Sequence, residues 1–193
     1  MNKIYVSFSS YIAKVLREDL ASGKEPIDIP PYITVESFWK KRHPLMGGRQ
    51  LRKQPSLRQL FISSLRTEKE DFIPYHLAYS EEEYKDFPES EDKKNELMEF
   101  AIPKVLTVGG NAVVSNSRVL MDNNGGRLFR QAAIFHFYDL LSLFLHSLQL
   151  DCLKAKKPFS IREGIRLFAD DYDLSSNEHD ALYIQYFRRK NSK

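Results

Sequence analysis

The sequence predicts an α+β fold in which helix dominates. Three observations predict it: an alternating apolar segment at the N-terminus, a glycine-centred pair of short apolar runs between Glu96 and Met121, and one long apolar periodic run from Arg127 to about Lys154. The chain has 193 residues, of which 42% are hydrophobic and 28% charged, an ordinary globular composition. That length suits one compact domain able to bury roughly 70% of its unfolded surface. A single domain over 1–193 is expected, with a charge-polarised half (1–95) and a half built from a hairpin and helices (96–193).

Ile4, Val6 and Phe8 alternate with polar residues and predict a short strand. Ser9 or Ser10 then caps a helix through Tyr11, Ile12, Val15, Leu16 and Leu20 that Gly23 ends. Pro26, Pro30 and Pro31 keep the next segment extended. A short helix around Ser37, Phe38 and Trp39 stops before Pro44 and Gly47-Gly48, leaving a basic loop. Ser56 opens an amphipathic helix carrying Leu57, Leu60, Phe61 and Leu65. The acidic stretch from Ser80 to Asn95 reads as a short helix and a solvated loop. Phe100 to Leu120 then reads as a hairpin-like β segment turning at Gly109-Gly110.

In the long run that follows, His136, Asp139, Ser142, His146 and Gln149 recur every three or four positions. They predict one polar stripe on an otherwise apolar helix at the centre of the core. A membrane span is not expected there, because a central Asp alone costs about 3 kcal/mol in a bilayer. Ser160-Ile161-Arg162-Glu163 and Ser175-Ser176-Asn177-Glu178 are two capping boxes, and they open the last two helices. The sole cysteine, Cys152, permits no internal disulfide, and no Cys/His spacing for structural zinc occurs. With no secretory pattern at the N-terminus, a reducing cytoplasm is the expected setting.

Net charge is only +3, but its distribution is polarised. Lys40, Lys41, Arg42, Arg49, Arg52, Lys53, Arg58 and Arg66 fall in a run without a single acid. From Glu68 to Glu99, twelve acids face four lysines. The basic run, with Trp39 as a stacking surface, has the composition that phosphate contact needs. Lys40, Lys41, Arg42, Arg49, Arg52, Lys53 and Arg58 are therefore the candidate nucleic-acid contacts. The competing reading is a solvated face paired with the acidic run.

The final helix pair has the lengths of a helix-turn-helix, yet its second helix starts with the acidic Asn177-Glu178-His179-Asp180, poorly suited to a phosphate-lined groove. Tyr183, Tyr186 and Phe187, flanked by Arg188 and Arg189, are candidate partner contacts if that helix lies on the surface, and core residues otherwise. His136 and Asp139, at i and i+3, have a spacing that can hold a metal or orient an imidazole, but a solvent-facing polar stripe explains them as well. Gly125-Gly126 precedes a helix start, where backbone N–H groups can hold an anion or the chain can simply turn.

No catalytic residue, metal ligand or cofactor site is assigned. The function read from the sequence is a non-enzymatic protein that contacts nucleic acid or another polyanion through a basic loop and helix, in an accessory or regulatory role. The alternative is an assembly or adaptor protein acting through protein partners or self-association, without a membrane.

Overall fold

The computed structural model describes residues 3–42, 54–67, 71–85, 95–103, 107–108, 111–112 and 118–191. These form seven helices and seven short strands of the α+β class. Strand β1 (Lys3–Ser9) is the centre of a three-stranded antiparallel sheet. It lies between β3 (Ala78–Ser80) and β4 (Asn95–Ala101). Ile4 pairs with Ser80 on one side and Phe100 on the other, and the β1–β4 ladder runs from Lys3↔Ala101 to Ser9↔Asn95.

The alternation in β1 suggests a strand with one wet face, yet Tyr5 and Ser7 are buried along with Ile4, Val6 and Phe8. The second face is covered. The Tyr84 ring, on the short helix α4 (Glu81–Lys85), stacks on Tyr5 at 4.0 Å, and Arg130 Nε donates to the Ser7 carbonyl at 2.8 Å.

Helix α1 (Ser10–Ala21) starts directly after β1 and ends in left-handed Ser22 and Gly23. Helix α2 (Glu36–Arg42) and helix α3 (Leu57–Ser64) follow. Ser56 opens α3 with a reciprocal capping box: its Oγ accepts from Gln59 N, and the Gln59 side chain accepts from Ser56 N.

Strand β2 (Leu65–Thr67) pairs with β7 (Val119–Met121), while β5 (Thr107–Val108) pairs antiparallel with β6 (Asn111–Ala112); the turn predicted at Gly109-Gly110 lies outside the described residues. Among the described residues, the β segment predicted between Glu96 and Met121 is thus a two-residue ladder flanked by strands that join different sheets. Pairing between segments distant in the sequence decides this, because β4 finds β1 and β7 finds β2.

Helix α5 (Asn123–Lys154) is the long helix. Asp122 caps it, accepting from Gly125 N at 2.8 Å, and Arg66 lies 3.3 Å from the same carboxylate. This corrects the anion-site reading of Gly125-Gly126: a carboxylate of the chain itself occupies the helix start. The glycines serve close packing. A Cβ on Gly125 would stand 2.7 Å from the Ser64 backbone, and one on Gly126 would stand 2.6 Å from the buried Tyr75 ring. Beyond them, Phe129, Ala132, Ala133, Phe137 and Leu141 are buried. Phe61, Phe100 and Phe129 form a mutual aromatic cluster with centroids 5.2 to 5.5 Å apart.

Helices α6 (Ile161–Asp171) and α7 (Ser176–Asn191) close the fold. Ser160 Oγ caps α6 by accepting from Glu163 N. Gly164 lets α6 approach α5 closely, since a Cβ there would meet Leu145 at 2.5 Å. Among the described residues, no helix is long and apolar enough to cross a membrane.

The close approach at Gly126 gives a test. Gly126→Ala should cost about 1–3 kcal/mol of stability by overpacking against Tyr75, whereas Asn124→Ala, at an exposed position about half a turn away, should be nearly neutral. Urea denaturation of both variants checks this.

Candidate nucleic-acid interface

Helix α2 is short and two-sided. Val35, Phe38 and Trp39 turn inward and are buried, which leaves Lys40, Lys41 and Arg42 exposed at its C-terminal end, where cations complement the helix dipole. Trp39 is therefore not a stacking surface; its ring is in the core and its Nε1 donates to the Pro55 carbonyl at 3.4 Å. The Phe38 ring meets Phe135 of α5 edge-on at 5.6 Å, and Ser37 Oγ donates to Asp139 at 2.7 Å. These contacts fix α2 on α5.

Helix α7 reaches the same place from the other end of the chain. Its start is pinned to α1: the buried Glu178 carboxylate lies 2.8 Å from Lys14 Nζ and accepts from Ser175 N and Oγ, both at 2.8 Å. Burial alone would raise this carboxyl's pKa, but Lys14, Ser10 and Ser175 overcome that and push it down to about 2. The N-terminal end of α7, which a helix-turn-helix would insert into a groove, is thus occupied by an internal ion pair.

At its C-terminal end the Arg189 guanidinium lies over two rings of α5, Phe135 at 3.9 Å and Tyr138 at 4.2 Å. Its partial burial pulls its pKa below the usual arginine value, against the opposing pull of Tyr138 and Asp139. Lys41 Nζ lies 5.8 Å from the same Phe135 ring, and Arg42 lies 5.9 Å from Phe38. Two cationic helix ends, far apart in sequence, thus meet on one aromatic residue. Arg188 and Lys190 flank Arg189 and are exposed. Glu36 pairs with Lys40 at 3.2 Å, and Asp139 is held by Ser37.

The sequence-derived candidates divide accordingly. Lys40, Lys41 and Arg42 stand on this face. Arg58 is drawn to Asp28 at 3.2 Å, and Arg49, Arg52 and Lys53 lie outside the described residues. Tyr183, Tyr186 and Phe187 are half-buried and pack against the core, with Tyr183 and Phe187 in contact at 4.8 Å. Arg189 is an internal clamp rather than an open contact. Phe135 and Tyr138 went unassigned in the sequence because they look like any other apolar positions of a core helix.

His136 and Asp139 do not act together. His136 Nε2 lies 2.8 Å from Asp19 of α1, whereas Asp139 bonds α2. The predicted polar stripe is therefore split: its first half ties α5 to two neighbours, and its second half, with His146 and Gln149, is exposed. Among the described residues no group of three or more His, Cys, Asp or Glu is arranged to hold a metal. The ion pairs described for the basic run go to Asp28, Glu36 and Asp122, all outside the acidic run. Glu82, Glu83, Glu96 and Glu99 in turn pair with Arg118, Arg17 and Lys3. No protein-family model matches the chain, and no curated protein or solved structure matches it either.

The Glu178 lock sets a pH dependence. Its pKa is depressed in the folded state, so its stabilisation is complete above the unfolded value of 4.5 and is lost as pH falls toward 2. Glu178→Gln should lower stability at pH 7 by at most about 3 kcal/mol and flatten the acid limb of a plot of stability against pH from denaturant titrations.

Proposed function

We propose that this chain is a non-enzymatic nucleic-acid-binding protein that grips the phosphate backbone with the basic face at the joined ends of α2 and α7, in an accessory or regulatory role within the cytoplasm. The observation that carries this reading is the meeting of Lys41 and Arg189 on Phe135, which brings together the cationic C-terminal ends of the two helices, one bearing exposed Lys40, Lys41 and Arg42 and the other exposed Arg188 and Lys190. Long flexible cations around a fixed centre suit a chain of phosphates, whose condensed counterions are released on contact.

Two features support backbone contact over base reading. The end of α7 that would enter a major groove is engaged with Lys14. In addition, the cations project from helix C-termini, which present carbonyls rather than N–H groups, so side-chain charge supplies the attraction. Affinity should then depend steeply on salt and little on base sequence.

Fluorescence anisotropy with labelled single-stranded and duplex oligonucleotides tests the proposal. K41E/R42E and R188E/K190E should each weaken binding about tenfold or more. Each should also reduce the slope of log affinity against log salt, by roughly 0.7 per lost phosphate contact on single strands or 0.9 on duplex. Arg189 is left intact because it holds α7 in place. Unchanged affinity in both variants would place the site elsewhere or remove it.

A further inference from the structure

Among the described residues, every tyrosine but Tyr32 is buried, half-buried or, at Tyr84, stacked on another ring. Tyr32 is 79% exposed, and no described ring stacks on it. Its place is nonetheless fixed. Pro30 and Pro31 restrict the backbone ahead of it. Ile29 before them is buried, Ile33 after it packs against the core, and the Ile33 carbonyl accepts from Leu57 N at 2.8 Å.

The same frame carries cations. Arg58 follows Leu57, and Lys40 follows Trp39, whose indole donates to the carbonyl of Pro55, two residues before Leu57. Tyr32, Arg58 and Lys40 are thus each one residue away from a bonded member of that frame. Four extended residues and four helical ones separate Tyr32 from Lys40, so the backbone between them spans at most about 20 Å. About six nucleotides cover that span even at the close spacing of a duplex strand. Beside the ring the charges balance, with Asp28 3.2 Å from Arg58 and Glu36 3.2 Å from Lys40. The excess of positive charge lies beyond, at Lys41 and Arg42 and on the end of α7. A neutral aromatic surface next to a cationic one suits a strand that lays a base on the ring while its phosphates are held further along.

We propose that Tyr32 is a base-stacking platform that makes the basic face prefer single-stranded to duplex nucleic acid. The inference rests on the phosphate-backbone reading above and names the form of its ligand. In a duplex both faces of each base are covered by its neighbours, so the ring finds nothing to stack on. In a single strand an unstacked base can lie on it. Every base has a π-face, so such stacking tolerates any sequence.

Fluorescence anisotropy with a labelled oligothymidylate and a labelled duplex of equal length, at one low salt concentration, provides the test. Wild type should bind the single strand more tightly than the duplex. Y32A should weaken single-strand binding about tenfold and duplex binding less than twofold, whereas Y32F, which keeps the ring, should bind as wild type does. K41E/R42E should weaken both. Tyr32 is exposed, so circular dichroism and the thermal midpoint of Y32A should match wild type. Single-strand affinity of Y32A equal to that of wild type, while K41E/R42E still weakens binding, overturns the stacking role and leaves the basic-face reading standing. Equal loss of single-strand and duplex binding in Y32A overturns the preference, as does a wild type that favours the duplex. A wild type that binds neither oligonucleotide overturns the basic-face reading, and the platform with it.

Discussion

The structure depends on how closely the first turns of α5 are drawn into the protein. Asp122 caps the helix, Arg66 neutralises the cap, and Gly125 and Gly126 let the backbone settle against Ser64 and Tyr75. With the axis fixed there, Phe129 joins Phe61 and Phe100, and small Ala132 and Ala133 keep the helix close. Further along, Phe137 meets both Tyr11 of α1 and Phe168 of α6. One helix therefore touches both the β-sheet layer and the C-terminal helices, and its rotation decides which residues every neighbour sees.

That rotation produces the candidate interface. Phe135, Tyr138 and Asp139 occupy the arc of α5 between α2 and α7, and each neighbour attaches through a different interaction: Ser37 to Asp139, Phe38 to the edge of Phe135, Arg189 to the faces of Phe135 and Tyr138. Tyr138 is itself hydrogen-bonded with Tyr11, and burial pushes its phenol well above the usual range, so it stays neutral beside Arg189. The cations at the two helix ends therefore stand at a fixed place. Pre-positioned charge loses less freedom on binding than charge on an unstructured loop.

Local pattern made much of the fold legible. Capping residues at Ser56 and Ser160, the stop at Gly23 and the alternation in β1 each depend on neighbours within a few positions, so the sequence carries them directly. Three things depended on residues far apart in the chain and were not legible: the burial of β1 on both faces, the division of the predicted hairpin between two sheets, and the splitting of the polar stripe between α1 and α2. The reading of Trp39 failed because its accessibility depends on Pro55 and the core, not on the basic residues beside it. For the candidate site, composition marked Lys40, Lys41 and Arg42 and, separately, Arg188 and Arg189. Their meeting could not be read, because Phe135 and Tyr138 carry no sign in the sequence that they are anything but core.

The central claim is that the two helix ends act as one binding surface. The most direct measurement is an amide NMR titration of the labelled protein with a short single-stranded oligonucleotide. The account predicts that resonances of Lys40, Lys41 and Arg42 and those of Arg188, Arg189 and Lys190 shift together along one binding curve, while Glu178 and its neighbours at the far end of α7 stay still. Shifts at only one of the two ends, or at neither, would contradict it.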